Sequence, residues 1–179
     1  MGARGLTRSN KNASRITAGG DFHPALRTLC RCPRSGTGER SLARWRERDA
    51  LLDELSEQGF DTGQVDRYDV PGAFEIPLLA LKLARSGRYA AIVACALVVD
   101  GGIYRHEFVA SAVIDGLMRA QLDSGVPIFS AVLTPQAFHE HEAHQRFFAE
   151  HMVAKGREVA RTCMATLAAH GVLAAPATA

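Results

Sequence analysis

The stretch that decides the fold is AAIVACALVVDGGIYRHEF, residues 90–108. Its first ten residues are all apolar, and aspartate and glycine follow them directly. An apolar run of this length is too short to cross a membrane, and without polar side chains it is typical of a strand covered on both faces. Because such strands belong to parallel sheets flanked by helices, the stretch predicts an α/β fold.

Residues that could carry chemistry follow this strand at once. Gly101 and Gly102 let the backbone turn sharply. Arg105, His106 and Glu107 then arrive at the carboxyl end of the strand, where open α/β sheets bind their ligands. Backbone amides beside a cation favour an anion, and an imidazole can move a proton near neutral pH. The stretch therefore predicts an anion site, and the alternative is a glycine turn with a solvated capping cluster.

Apolar spacing and Gly or Pro breakers predict further elements on both sides of this strand. Helices are predicted over 42–58, 76–86, 108–122, 136–151 and 153–170, and strands over 65–70 and 126–134. This alternation predicts a three-layer αβα sandwich with a small parallel sheet. No apolar run of four residues precedes residue 49, so the first strand is expected to be missing or aberrant, with at most a short extended piece around 25–32.

Charge divides the chain into unequal parts. Residues 1–48 carry eleven Lys and Arg against three Asp and Glu, whereas the whole chain has a net charge of +2. We interpret 1–48 as an atypical basic segment, largely disordered, because it lacks hydrophobic periodicity. It also lacks interleaved aromatic residues and a helix-turn-helix pattern, so no nucleic-acid partner is expected. Residues 49–171 form the predicted α/β domain, and 172–179 a flexible tail.

The remaining composition indicates a cytoplasmic protein. Of the 179 residues, 47% are hydrophobic, which is ordinary for one globular domain. No apolar run reaches the length of a membrane span, and no apolar segment follows the basic N-terminus as it does in a signal peptide. We therefore expect no membrane partner. The four scattered cysteines are interpreted as reduced thiols.

A second motif, VPGAFEIP at 70–77, joins a predicted strand to a predicted helix. It places the Glu75 carboxylate at a helix start, where free backbone N–H groups and the carboxylate can both bind a polyhydroxy ligand. The alternative is that Glu75 only compensates the helix dipole.

Four histidines lie close together at His139, His141, His144 and His151. Three of them, at 141, 144 and 151, share one face of a helix, which raises the possibility of a metal. Cysteine and aspartate are absent between them, so a phosphate-binding histidine and a hydrated histidine-rich face are the competing interpretations. We expect neither a metal nor a cofactor.

With these motifs in view, residues 66–167 resemble the lumazine synthase family. VPGAFEIP at 70–77 looks like its substrate loop, VVDGG at 98–102 leads into its phosphate loop, and 126–134 matches its third conserved strand. GGIYRH at 101–106 and LTP at 133–135 look like the type II branch. The resemblance implies a flavodoxin-like fold, riboflavin biosynthesis without a cofactor, and a homo-oligomer of one or two pentamers with sites between subunits.

The resemblance also implies roles for individual residues. Substrate binding falls to Ala73, Phe74 and Glu75 for the ribityl chain, and to Leu97, Val98, Val99 and Ser130 for the pyrimidine. Phosphate binding falls to Gly101, Gly102, Ile103 and His144. The family's proton-transferring histidine aligns with Arg105, and a shift of one residue reaches His106, so both are catalytic candidates.

The N-terminal region departs from the family. The family's first strand ends in an aromatic residue that stacks on the pyrimidine, and Trp45 is the nearest candidate although helix-like sequence follows it. An aberrant N-terminus would explain both the missing strand and the excess of arginine. Two other functions therefore stay open: an inactive lumazine- or flavin-binding scaffold, and a metal-dependent enzyme that uses the histidines.

Overall fold

The computed structural model describes residues 25–31, 39–99, 105–135 and 142–171, with side chains from residue 46 onward and, in the last segment, from 146. Strands and helices alternate through these residues. The strands are β1 (Ala25–Arg31), β2 (Val65–Val70), β3 (Tyr89–Leu97) and β4 (Ile128–Leu133). The helices are α1 (Glu39–Glu57), α2 (Ile76–Ala84), α3 (His106–Ser124) and α4 (Glu142–Ala169), and a 3₁₀ turn at Ala73–Glu75 precedes α2.

The four strands form one parallel sheet in the order β2-β1-β3-β4. Cys30 of β1 is paired with Asp69 of β2 and with Cys95 of β3, and Cys95 is paired with Ala131 of β4. This row lies one or two residues from the carboxyl ends of all four strands. The strands therefore finish nearly level with one another at one edge of the sheet.

Strand β3 is buried on both faces, as its apolar run predicts. Ile92, Ala94 and Ala96 belong to a core with α2 and α3 on one face of the sheet. Ala91, Val93 and Cys95 belong to a second core with α1 and α4 on the other face. This alternation confirms the three-layer αβα sandwich.

Two glycines allow the helices to pack closely. A Cβ atom on Gly116 of α3 would lie 2.9 Å from Pro77 of α2. A Cβ atom on Gly156 of α4 would collide with the backbone carbonyl oxygen of Glu47 in α1. Both contacts lie in regular helix, so these glycines serve close approach between helices.

The expectation of a missing first strand is wrong, because β1 occupies 25–31 and pairs on both sides, with β2 and with β3. The sequence ALRTLCR contains two arginines and one threonine, so it shows no apolar run. Its pairing rests on backbone hydrogen bonds with two neighbouring strands, which hydrophobicity does not report. Only the extended piece expected near 25–32 anticipated it.

The proposed boundary at residue 48 falls inside α1, which runs from Glu39 to Glu57. The described parts of the basic segment thus belong to the α/β domain, because β1 completes the sheet and α1 covers one face. The remaining parts of 1–48 and the predicted tail 172–179 lie outside the described residues.

The predicted pair of helices over 136–151 and 153–170 is a single helix from Glu142 onward, and residues 136–141 lie outside the described residues. No proline interrupts it, and Gly156 lies within the helix, close to the backbone of α1. The other predicted helices and strands are confirmed with small shifts at their ends. Among the described residues, no helix is long and apolar enough to cross a membrane. Cys163 is a buried free thiol, and burial raises its pKa to about 12.

Candidate active site

The candidate site lies at the carboxyl edge of the sheet. Because the sheet is parallel, β2 ends at Val70, β3 at Leu97 and β4 at Leu133 on the same edge. Helices α2 and α3 follow β2 and β3 directly, so both begin at this edge. Sequence motifs that are far apart in the chain are therefore brought to one side of the molecule.

The first part of the edge is the 3₁₀ turn Ala73–Glu75. Ala73 is buried in the core, which anchors the turn, whereas Phe74 is 60% exposed and Glu75 is also exposed. The Glu75 carboxylate folds back over Gly72, where a Cβ atom would collide with it. Glu75 caps no backbone N–H of α2 through its side chain. The carboxylate is thus exposed at the edge without capping the helix, whereas the N–H of Ile76, the first residue of α2, donates to the carbonyl oxygen of Ala73.

The second part is the end of β3. Leu97 and Val98 are buried, and Val99 is half-buried. The backbone N–H of Val98 donates to the carbonyl oxygen of Leu133 at 2.9 Å, which extends the pairing with β4 beyond the strand. These residues form an apolar floor at the edge, as expected for contact with a flat ring.

The third part is the start of α3. Arg105 precedes the helix in extended conformation, and its guanidinium carbon lies 5.6 Å from the centre of the Phe108 ring. His106 is the first helical residue and is largely buried, with Nδ1 3.5 Å from Oε2 of Glu107. Glu107 was given no role from the sequence, although its place beside His106 was visible there. Neighbours at i and i+1 seldom face each other on a helix, so only the structure shows this contact.

Ser130 lies apart from the other candidates. It is exposed on β4 and is paired with Ala94, three residues before the end of the strand. At the rise of a strand it is about 10 Å from Leu133 along β4. Its Oγ accepts a long hydrogen bond of 3.4 Å from the N–H of Val132. A contact between Ser130 and a ring bound at the edge stays a prediction.

The remaining candidates are described only in part. Gly101, Gly102 and Ile103 lie outside the described residues, although they join the end of β3 to the start of α3. The backbone of His144 lies in the first turn of α4, and that of Trp45 lies in the second turn of α1. Trp45 is thus on a helix and does not follow the first strand directly. Its stacking role also stays a prediction.

The metal hypothesis rests largely on undescribed side chains. Of the four histidines only His151 has a described side chain, and it stacks on Phe147 with a centroid separation of 6.2 Å. Within the described residues, no group of three His, Cys, Asp or Glu side chains could hold a metal ion.

Comparison with known proteins tests the resemblance. Residues 43–170 match the family model of 6,7-dimethyl-8-ribityllumazine synthase. The chain belongs to this lumazine synthase family. The matched region contains every candidate site residue and three of the four strands, and it begins after β1.

Individual lumazine synthases support the same assignment. The chain is 61% identical to 6,7-dimethyl-8-ribityllumazine synthase of Rhodococcus erythropolis over 122 residues, which cover 68% of this chain and 79% of the relative. It is 55% identical over 120 residues to the enzyme named 6,7-dimethyl-8-ribityllumazine synthase 2 of Pseudomonas syringae pv. tomato, covering 67% and 71%. It is 63% identical over 103 residues to the synthase 2 of Bradyrhizobium diazoefficiens, covering 58% and 62%.

Proposed function

We propose that this chain condenses 5-amino-6-(D-ribitylamino)uracil with 3,4-dihydroxy-2-butanone 4-phosphate to form 6,7-dimethyl-8-ribityllumazine in riboflavin biosynthesis. The observation that carries the proposal is the meeting of the 70–77 motif, the end of β3 and the start of α3 at one edge of the sheet in a member of this family. Phosphate and two waters leave during the reaction, so the protein must mainly orient two substrates and hold an anion.

The edge provides these functions in separate parts. We assign the ribityl chain to Ala73, Phe74 and Glu75, because an exposed carboxylate that caps no helix amide can accept hydrogen bonds from several hydroxyl groups. The pyrimidine is assigned to the apolar floor at 97–99, with Ser130 and Trp45 as further candidate contacts. The phosphate is assigned to Gly101, Gly102, Ile103 and His144, and Arg105 can add a permanent positive charge.

Incubation of the purified protein with both substrates tests the reaction. Formation of the lumazine chromophore, with release of one phosphate per lumazine, is the expected result. Binding of a ribityl analogue without lumazine formation would favour the inactive scaffold instead. The main reason for that scaffold was the missing first strand, and β1 removes this reason. Loss of activity on treatment with a chelator would favour the metal-dependent alternative.

We further propose that the chain works in the cytoplasm as a pentamer or a dimer of pentamers of the type II branch. An apolar stripe on α3 supports association, since Ile114, Met118 and Leu122 recur at every fourth position and are all exposed. Leu78 on the adjacent helix α2 is also exposed. A single chain has a mass of 19.3 kDa, so light scattering distinguishes it from an assembly.

The variant Met118→Asp tests the stripe. We expect it to lower the mass measured by light scattering toward that of one chain, because a buried unpaired carboxylate is costly at an interface. Arg119→Gln, on the neighbouring position of the same helix, is the matched control and leaves the assembly intact. A wild-type protein that is monomeric at micromolar concentration would contradict the proposed assembly.

A further inference from the structure

Gly72 lies between the end of β2 and the 3₁₀ turn Ala73–Glu75, and its backbone conformation does not require glycine. Its φ and ψ are −144° and 172°, which is extended backbone that any residue adopts. By contrast, Gly59 and Gly125 have φ values of 82° and 71°, in the left-handed region that favours glycine. The space around position 72, and not its backbone conformation, is therefore what restricts a side chain there.

The Glu75 carboxylate fills the space beside Gly72. An ideal Cβ atom on Gly72 would collide with Oε2 of Glu75 and would lie 3.5 Å from the carboxyl carbon. Side chains three residues apart eclipse each other in a 3₁₀ turn, so the side chain at 75 lies over position 72. Glycine at 72 thus leaves room for the carboxylate to lie against the backbone.

The backbone around this contact is anchored in the core. Val70, Ala73 and Ile76 are all buried in the core that α2 and α3 share with the sheet. Glu75 is exposed, and its carboxylate is the free end of a flexible side chain. A methyl group at 72 would therefore displace the carboxylate and leave the backbone in place, because an exposed side chain rotates more easily than a packed core moves.

Helix capping does not account for the folded-back carboxylate. Glu75 is the N-cap residue of α2, but its side chain makes no cap hydrogen bond. No other hydrogen bond to this carboxylate is present among the described residues. Its oxygens can therefore accept hydrogen bonds from the hydroxyl groups of a ligand at the carboxyl edge.

We propose that Gly72 is a positioning residue for the polyhydroxy substrate, because it allows the Glu75 carboxylate to lie folded back where it accepts hydrogen bonds from the ribityl chain. The proposal rests on the ribityl assignment in the function proposed above. A group that already has its bound orientation loses less conformational entropy on binding than one that must be reoriented. Gly72 acts through Glu75 and has no side chain of its own to contact the substrate.

Titration calorimetry on the full chain tests this role, with a pyrimidine that carries a ribitylamino chain and lacks the reacting amine as the probe. We expect Gly72→Ala to raise the Kd of this probe by about 10-fold, the effect of losing one hydrogen bond to a charged group. The urea midpoint should stay equal or rise slightly, because alanine adopts this φ and restricts the unfolded chain. In steady-state kinetics, KM should rise for the ribitylamino substrate and not for the phosphate substrate.

A double-mutant cycle distinguishes action through Glu75 from a general effect on the turn. Glu75→Ala removes the carboxylate and should weaken binding of the probe at least as much as Gly72→Ala does. Adding Gly72→Ala to Glu75→Ala should change the Kd by less than about 2-fold, because no carboxylate is left to displace.

Gly63→Ala is the matched control. A Cβ atom on Gly63 would lie 3.0 Å from Oδ1 of Asp61, so this glycine also lies beside a carboxylate. Residues 62–64 precede β2 and therefore lie at the opposite edge of the sheet from the site. The Kd of the probe should not change in this variant.

Two results would overturn the role of Gly72. Gly72→Ala could bind the probe as tightly as the wild type does, or it could weaken binding equally with and without the Glu75 carboxylate. A wild type that does not bind the probe is a distinct result, because it overturns the ribityl assignment and this proposal with it. A wild type that binds the probe but forms no lumazine overturns the proposed condensation alone, since the cycle is measured by binding.

Discussion

The carboxyl edge of the sheet and the layer formed by α1 and α4 both contain charged residues, but the two regions use them differently. In the layer, the buried carboxylate of Glu54 accepts hydrogen bonds from Arg157 at 2.9 Å and from Arg161 at 2.8 and 3.1 Å. Glu57 accepts two more from Arg157. At the edge, Glu75 receives no hydrogen bond from any described residue. Charge that is paired inside the protein holds helices together, whereas charge left without such partners can bind a ligand.

The pKa of Glu54 shows the effect of this pairing. The Arg161 guanidinium, together with Gln58 and Arg157, lowers the pKa of Glu54 to about 2 against the opposing effect of burial. Glu54 therefore stays ionised over the whole physiological range and serves as a fixed contact. Substitutions in the layer should change stability and leave binding intact, while substitutions at the edge should do the reverse.

The largest expected effect is on binding at the edge. Glu75→Gln should weaken binding of a ribityl analogue by about 1.5–3 kcal/mol, the contribution of a hydrogen bond to a charged group. The urea midpoint should not change, because Glu75 is exposed and makes no internal hydrogen bond among the described residues. Asp123→Asn, at the far end of α3, is the matched control for calorimetric titration. Unchanged affinity of the Gln variant would remove Glu75 from the site.

The second prediction concerns packing in the layer. Gly156→Ala should destabilise the protein by about 1–3 kcal/mol, because the added methyl group meets the backbone of Glu47. This effect should exceed the gain from the better helix propensity of alanine. Urea denaturation measures it, and Ala154→Ser on the exposed face of α4 is the control. If Gly156→Ala were more stable than the wild type, the close contact between α1 and α4 would be refuted.

The third prediction is the response of the layer to acid. The folded-state pKa of Glu54 is lowered from 4.5 to about 2, so the folded protein binds fewer protons than the unfolded chain between these values. The stabilisation from Glu54 is complete above pH 4.5 and is lost as pH falls through about 2. Glu54→Gln should therefore be less stable at neutral pH and should lose less stability on acidification.

Urea midpoints measured from neutral pH down to the acid limit of folding check this response. Asp53→Asn is the matched control, because Asp53 is the exposed carboxylate next to Glu54 on α1. If the wild type and Glu54→Gln lost the same stability on acidification, the ion pairs of Glu54 would contribute nothing to the pH dependence of folding stability.

The smallest expected effect is at the phosphate site. If His144 and Arg105 both contact the phosphate, affinity for inorganic phosphate falls as pH rises from about 6 to 8 and the imidazole loses its charge. The second ionisation of phosphate near pH 6 opposes this fall. His144→Ala should abolish the fall, whereas Arg105→Ala should weaken binding at every pH. His151→Ala, on the same helix, is the control, and a His144→Ala profile equal to that of the wild type would exclude His144.

Part of the fold could be predicted from local sequence because the signals were local. The apolar run of β3 matched a strand buried on both faces, and Pro71 and Gly72 ended β2 at the residue expected from them. The start of α2 followed from a proline in its first turn. The predicted division of α4 at residue 152 was wrong, because Met152 is helical and buried by tertiary packing, which local sequence does not report.

The sequence by itself determined the α/β class, the family and the motifs that carry the candidate site, because these depend on residue types at short spacing. Tertiary structure decided three other matters. It placed β1 in the sheet through pairing with two strands that its own residues do not specify. It joined α1 to α4 through ion pairs about a hundred residues apart. It also left Arg105 exposed and His106 largely buried, because the exposure of a side chain is set by everything that packs around it.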